Sequence, residues 1–186
     1  MAHRTMQELR AALPHIESAP KDGTVEAIVV RPAKGAREMP ERAELSLAGG
    51  VAGDHWALGC WRETEDGRPH PDVQICLMPA RCIAAIAGED RADWAPAGDN
   101  LFVEMDLSPG NCPPGTRLAL GSVEMAVTEE PHNGCQAFID RYGRDACLFV
   151  NTGRGKDLRL RGIYARVEKD GAVSVGDTVR RIGEGS

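Results

Sequence analysis

One cysteine lies in a sequence context that suits thiol chemistry. Cys135 follows Gly134 and precedes Gln136-Ala137-Phe138, a pattern that predicts its position at the first turn of a helix. Backbone amides and the helix macrodipole lower the pKa of a thiol there, and the thiolate is the form that transfers sulfur or ligates a metal. His132 is close enough in sequence to act as a base or to orient the thiol. Cys135 is therefore the candidate nucleophile and metal ligand and His132 its candidate assistant; the alternatives are an inert buried thiol and a solvent-exposed histidine.

Further candidate ligand-binding residues follow glycine-rich turns. Gly53, Asp54 and His55 form one such turn, in which Asp54 and His55 can orient or protonate a ligand. Stabilising the turn itself is the more common role for an aspartate such as Asp54. Asn100 follows Gly98-Asp99 and offers a donor and an acceptor, although asparagine is also ordinary turn chemistry. These residues form the polar part of the predicted binding site.

Basic residues are concentrated in one part of an otherwise acidic chain. The formal net charge is −6, yet the window 141–161 holds six basic residues and two acidic ones. Arg159 and Arg161 are the candidates for holding the anionic end of a ligand, because planar guanidinium forks suit phosphate. A solvated surface is the alternative explanation for this window. The acidity of the whole chain argues against nucleic acid as a partner.

The length and composition indicate one globular domain of 186 residues. No apolar run approaches the length of a membrane span, and the charged N-terminal residues 1–20 do not resemble a secretory signal, so we expect a cytoplasmic protein without a membrane partner. The six cysteines include no pair with the two-residue spacing of a zinc knuckle or redox dithiol, and free thiols are expected. Cys76 and Cys82 lie among aliphatic residues and should be buried. Cys112, in Asn-Cys-Pro-Pro-Gly, is expected to be a loop thiol, but no basic residue flanks it closely, and it should react more slowly than Cys135.

The elements that must position these residues are mainly strands. Thr5 and Glu8 form a capping-box pattern that predicts an opening helix ended by Pro14. Two further helices are predicted, at Pro79–Ala87 and Cys135–Tyr142. Short segments rich in Val and Ile, bounded by Gly and Pro, predict strands at Val25–Val30, Ala43–Leu47, Val73–Met78, Leu101–Met105, Val123–Thr128, Ile163–Glu168 and Thr178–Ile182.

This pattern favours a mainly β fold, a closed or partly closed barrel with a few short helices. Residues 1–23 are expected to form an N-terminal helix and linker, 24–182 the barrel domain, and 183–186 a tail. Ile163–Glu168 and Ala172–Val175 flank Lys169-Asp170-Gly171, which predicts a tight hairpin within the barrel.

Four stretches, taken in order, resemble the MOSC domain, named for the C-terminal region of molybdenum-cofactor sulfurases, and in particular its small stand-alone bacterial members. The stretches are Gly49–Trp56, Gly98–Leu101, Pro131–Phe138 and Arg161–Val167 with Gly176-Asp177. The resemblance covers about residues 24–182 and implies a pyruvate-kinase-like β-barrel. It also implies that Cys135 is the family's cysteine, which carries sulfur or ligates molybdenum. Gly134 precedes this cysteine where close relatives usually have proline, and Pro131 lies four positions earlier.

The resemblance further implies a molybdenum cofactor, with Asn100 facing the pterin edge and a small-molecule cofactor as the main partner. Two enzyme versions follow: a reductase of N-hydroxylated compounds supplied by a separate electron-donor reductase, or a sulfur-transfer module supplied by a cysteine desulfurase. A non-catalytic carrier of cofactor or sulfur is the alternative, and a barrel binding an unrelated anion is a weaker one. Pyridoxal phosphate is associated with the family only broadly, and none of the lysines lies in a recognisable Schiff-base setting, the full set being Lys21, Lys34, Lys156 and Lys169.

Overall fold

The computed structural model describes residues 3–183, and seven of its strands close into a barrel. The strands are β1 (Gly23–Ile28), β2 (Arg42–Ser46), β3 (Gly50–Val51), β4 (Ile75–Pro79), β5 (Leu101–Val103), β6 (Arg117–Leu120), β7 (Val123–Val127), β8 (Ile163–Lys169), β9 (Gly171–Ser174) and β10 (Thr178–Ile182). Around the barrel the order is β1-β10-β6-β7-β8-β4-β5, and β5 pairs with β1. The predicted closed barrel is confirmed.

Alternating apolar side chains fill the barrel interior. Along β7, Val123, Met125 and Val127 point into the core while Glu124 lies between them at the surface. Burial of such side chains is the main stabilising contribution to the fold. β6 was missed by the sequence analysis because Arg117-Leu-Ala-Leu is short and lacks β-branched residues. Its register against β7 and β10 is nevertheless regular.

The predicted hairpin within the barrel is wrong. β8 pairs on one side with β4 and on the other with β7, so neither edge is free for the strand that follows. β9 instead leaves the barrel and pairs with β2, which also pairs with β3, to form a separate three-stranded sheet. The turn at Lys169–Gly171 is therefore a connection between two sheets.

Helices cover one side of the barrel and enclose a second apolar core. They are α1 (Met6–Glu17), α2 (Trp56–Gly59), α3 (Ala80–Ala87), α4 (Gln136–Asn151) and α5 (Gly153–Asp157). Leu9 and Ile16 of α1 are buried in this core with apolar residues of α3 and α4. The helical share, about 30%, is as large as the strand share of about 28%. The helices are thus a full layer on the outside of the barrel.

The N-terminal helix begins as predicted and ends later. Thr5 and Glu8 form the complete capping box. Pro14 does not end α1, which continues to Glu17. Proline removes one backbone hydrogen bond, and burial of Ile16 in the last turn offsets that loss. Of the predicted tail, only Gly183 lies within the described residues.

α4 is much longer than the predicted helix at Cys135–Tyr142, and it is interrupted. Gly143 adopts a φ of 88°, so the segment 136–142 and the segment 144–151 run in different directions. This kink returns the end of α4 to the loop that precedes its start. None of the helices in residues 3–183 has the length and apolar character of a membrane span.

Candidate functional site

Several of the predicted site residues line one open cleft of about 530 Å³. Cys135 and His132 come from one loop, His55 and Arg161 come from two other parts of the chain, and all four meet there. A cleft of this size is typical of small-molecule sites. Its other polar and aromatic lining includes residues that the sequence analysis did not select, namely Arg31, Arg37, Trp56, Trp61, Asn133 and Tyr164.

Cys135 is the exposed thiol of the chain, and its loop is held in place from behind. The Gly134 amide donates to Asn151 Oδ1 at 2.9 Å, and Asn151 Nδ2 donates to the Gly134 carbonyl oxygen at 3.0 Å. Cys135 has an extended backbone and is the N-cap of α4, where its carbonyl oxygen accepts from the Phe138 amide. The kinked helix therefore fixes the position of Cys135 through Asn151.

His132 is buried at the floor of the cleft. Its ring stacks against Tyr164, with centroids 4.4 Å apart, and its Nδ1 lies 3.5 Å from Asp99 Oδ1. Burial and the positive charges of Arg161 and Arg31 lower the pKa of His132 well below its usual value. The contact with Asp99 is therefore not an ion pair at neutral pH. A neutral imidazole can accept a proton or a hydrogen bond from a ligand.

Arg161 is supported by a buried carboxylate. Its Nη1 donates to both oxygens of Asp99, at 2.9 and 2.8 Å, and its guanidinium lies over the ring of Phe138, 4.9 Å from the centroid. Burial raises the pKa of Asp99, while the charge of Arg161 opposes that shift. Gly162 follows with a φ of 111°, and a Cβ there would lie 2.1 Å from the Leu77 carbonyl oxygen. Close packing of β8 on β4 thus requires this glycine.

A second buried network supports Arg31. Asp54 accepts from Arg31 Nε at 2.8 Å and from Arg31 Nη2 at 2.9 Å, and it also caps the Trp56 amide. The side chain of Asn100 bonds to Asp54, to the Cys76 amide and to the backbone of Val29. Burial raises the pKa of Asp54, but the hydrogen bonds and charge of Arg31 outweigh it and the pKa is lowered.

These hydrogen bonds distinguish residues that support the cleft from residues that line it. Asp54 and Asn100 are buried and direct their polar atoms to protein partners, whereas His55 is only partly buried and lines the cleft. His55 Nδ1 lies 2.9 Å from the Arg31 carbonyl oxygen. Gly53 precedes them with a φ of 81°, which permits the turn.

Buried polar atoms without a hydrogen-bond partner collect at the cleft. Of the five such side-chain atoms in residues 3–183, four belong to cleft-lining residues: Arg37 Nε, Trp56 Nε1, His132 Nδ1 and Arg161 Nε. An unsatisfied buried donor costs about 1 to 3 kcal/mol, so native proteins rarely retain several in one place without a ligand or water to satisfy them. A polar ligand or water at the cleft would satisfy such atoms.

The cleft also carries positive charge that the protein does not neutralise. Within the described residues neither Arg37 nor Arg141 forms an ion pair, and both guanidinium groups approach Gly98. Burial and the charges of Arg141 and Arg31 lower the pKa of Arg37. Neighbouring cations at a partly enclosed surface attract an anion. Among residues 3–183, Arg37 therefore adds a cation without an ion-pair partner to the lining of the cleft, and Arg141, which does not line the cleft, lies beside it near Gly98.

Arg159 is not brought to this cleft. It lines a smaller adjoining cavity of about 200 Å³ together with Lys156, and its Nη1 donates to the Cys112 carbonyl oxygen. Pro131, His132, Asn133 and Arg161 line both spaces, so this cavity lies directly behind the loop that carries His132.

The remaining thiols are less accessible than Cys135. Cys76 and Cys82 are buried as predicted. Cys112 is also fully buried, and burial raises its pKa to about 12, so its loop position does not make this thiol accessible. Its loop folds inward because Arg159 and Asn111 bond to the neighbouring backbone. Within residues 3–183, no group of three or more His, Cys, Asp or Glu residues is arranged to hold a metal ion.

A closed barrel with helices on one side and a cleft at a cysteine loop defines the class of this protein. The family model of the MOSC domain matches residues 47–180, and the chain belongs to the MOSC domain family. Proteins of this family are associated with molybdenum-cofactor binding and sulfur transfer.

Solved structures share the fold. The YUAD protein from Bacillus subtilis is 19% identical with a TM-score of 0.57, and the match covers 85% of this chain and 94% of that chain. YiiM from Escherichia coli is also 19% identical with a TM-score of 0.55, and the match covers 88% of this chain and 71% of that chain.

Proposed function

We propose that the cleft binds the molybdenum cofactor and that Cys135 supplies its protein thiolate ligand. The observation that carries this proposal is the exposed thiol beside four buried polar atoms without partners. Such a cleft suits a flat, polar, anionic heterocycle better than an apolar metabolite. Family membership supports the same ligand class.

The residues present fit such a cofactor. Arg37 offers charge to a phosphate and Trp56 Nε1 offers a hydrogen bond to a heterocycle edge, while Arg141 adds positive charge beside Gly98. Cys135 offers a soft sulfur ligand, which suits a metal whose other ligands belong to the cofactor. The ion pair with Asp99 holds the charged guanidinium of Arg161 near the cleft. Gly53, Asp54 and Asn100 contribute indirectly, because they hold Arg31 in position.

The bound cofactor would supply two-electron redox chemistry at its metal. The chain contributes the thiolate of Cys135, a neutral His132 that can accept or return a proton, and cationic side chains that orient the substrate. Reduction of N-hydroxylated compounds is the activity we favour, with electrons from a separate reductase. Sulfur transfer from a cysteine desulfurase and a non-catalytic carrier are the alternative outcomes.

The test is metal and pterin content per chain after expression in a host that makes the cofactor. We expect bound molybdenum in the parent, loss in Cys135→Ser, and about tenfold weaker retention in Arg37→Gln, because a charged hydrogen bond contributes about 1.5 to 3 kcal/mol. The matched control is Arg42→Gln, an exposed arginine on β2 outside the cleft, which should retain full content.

The same preparations separate the alternatives. Turnover of an N-hydroxylated compound with an artificial electron donor supports the reductase, whereas molybdenum without turnover indicates a carrier. Cyanide-releasable sulfur on Cys135 without molybdenum indicates sulfur transfer. Parent protein with neither metal nor sulfur, or a Cys135→Ser variant that keeps its molybdenum, would overturn the proposal.

A further inference from the structure

A second thiol lies directly behind the loop of Cys135. Cys147, on the part of α4 that follows the kink, is only 7% exposed. Its sulfur lies 3.2 Å from the position that a Cβ on Gly134 would occupy. Gly134 is the residue before Cys135, and consecutive Cα atoms are about 3.8 Å apart. The kink at Gly143 is the reason that thiols twelve residues apart come close together.

Asn151 connects the loop of Cys135 to Cys147. Asn151 holds the Gly134 backbone through two hydrogen bonds, and its Nδ2 also lies 3.3 Å from Cys147 Sγ. Cys147 is therefore a buried thiol that packs against the loop of Cys135. Glycine at position 134 lets Cys147 and Asn151 pack directly against the loop backbone, because a Cβ there would lie 3.2 Å from Cys147 Sγ and 3.0 Å from Asn151 Nδ2.

We propose that Cys135 and Cys147 form a dithiol that closes to an internal disulfide by exchange with a small disulfide. The thiolate of exposed Cys135 attacks the reagent RSSR, the S–S bond breaks, and RS⁻ leaves with a mixed disulfide on Cys135. Cys147 then loses its proton to solvent and attacks Cys135 Sγ, and the second RS⁻ leaves. Two protein thiols are oxidised and one RSSR is reduced to two thiols.

The expected consequence is a reversible switch on the cleft. In the disulfide, the sulfur of Cys135 is withdrawn from the cleft toward α4 and is no longer a thiolate. A dithiol reductant restores it. This inference does not depend on the identity of the cleft's ligand.

Cys60 and Cys76 are the rival partners, since both line the cleft with Cys135. Cys60 is half-buried, so the experiment uses the Cys60→Ser chain, in which Cys135 is the single thiol that is not buried. The reagent is 5,5′-dithiobis(2-nitrobenzoate), added to folded, reduced full-length protein. Released thionitrobenzoate is counted by absorbance, and the product is mapped by non-reducing peptide mass spectrometry.

We expect two equivalents of thionitrobenzoate per chain and a Cys135–Cys147 crosslink. The matched Cys60→Ser/Cys147→Ser chain should release one equivalent and keep the mixed disulfide on Cys135. A mixed disulfide that persists in the Cys60→Ser chain, or a crosslink from Cys135 to Cys76, would overturn the proposal. The peptide map of the Cys60→Ser chain decides the matter even if the double variant does not fold.

Discussion

Two layers of polar residues at the cleft differ in how their hydrogen bonds are satisfied. In the lower layer, Asp54, Asp99 and Asn100 are buried and bond to protein groups, chiefly Arg31 and Arg161. The upper layer contains the exposed thiol of Cys135 together with Arg37 and Trp56, which line the cleft and carry side-chain atoms without a hydrogen-bond partner among the described residues. Residues that bond to the protein determine the shape of the site, and residues that lack partners are available to a ligand.

The largest effect should come from the lower layer. Asp99→Ala leaves the Arg161 guanidinium buried without its carboxylate, and breaking a buried pair in this way costs about 3 to 5 kcal/mol. Urea unfolding of the parent and the variant measures this loss in the free energy of unfolding. The control is Glu44→Ala, which removes the partner of Arg42 in a pair whose side chains are more than 60% exposed; its loss should stay below about 1 kcal/mol. Equal losses of unfolding free energy in the two variants would show that the buried ion pair contributes no more to stability than the exposed one.

An intermediate effect should come from His132, which lies between the layers. Burial lowers its pKa, so below about pH 6.5 the unfolded chain binds a proton that the folded chain does not. The corresponding stability is fully present above that pH and is lost as the pH falls, by about 1.4 kcal/mol per unit. His132→Asn should lack this slope. Urea unfolding of parent and variant from pH 7 to 5 measures it, and parallel curves would show that His132 titrates normally.

The smallest effect on stability should come from the upper layer. Cys135→Ser changes an exposed side chain and should alter the free energy of unfolding by less than about 0.5 kcal/mol. The substitution should abolish the fast phase of alkylation. In the folded parent chain, Cys135 is expected to be alkylated first and Cys60 more slowly, and the buried thiols should react only on unfolding. Intact-mass spectrometry of timed labelling checks this order. Cys112→Ser, as control, should leave the fast-labelling thiol in place.

Much of the local structure could be predicted from the residues. The capping box at Thr5 and Glu8, most barrel strands and the helix after Cys135 follow from short-range patterns. The choice of Cys135 among six thiols also came from its neighbours in sequence, and the structure places it as the exposed one. Its ligand and chemistry stay predictions.

Only the tertiary structure decided which strands pair, which motif residues are buried and which cations meet. β9 joins β2 because β4 and β7 already occupy both edges of β8. Asn100 and Asp54 resemble ligand contacts in sequence, but their atoms bond within the protein. No local sequence pattern marks Arg37, because the residues that it approaches, Arg141 and Gly98, are distant from it in the sequence. Burial and charge proximity depend on long-range packing, which adjacent residues alone do not specify.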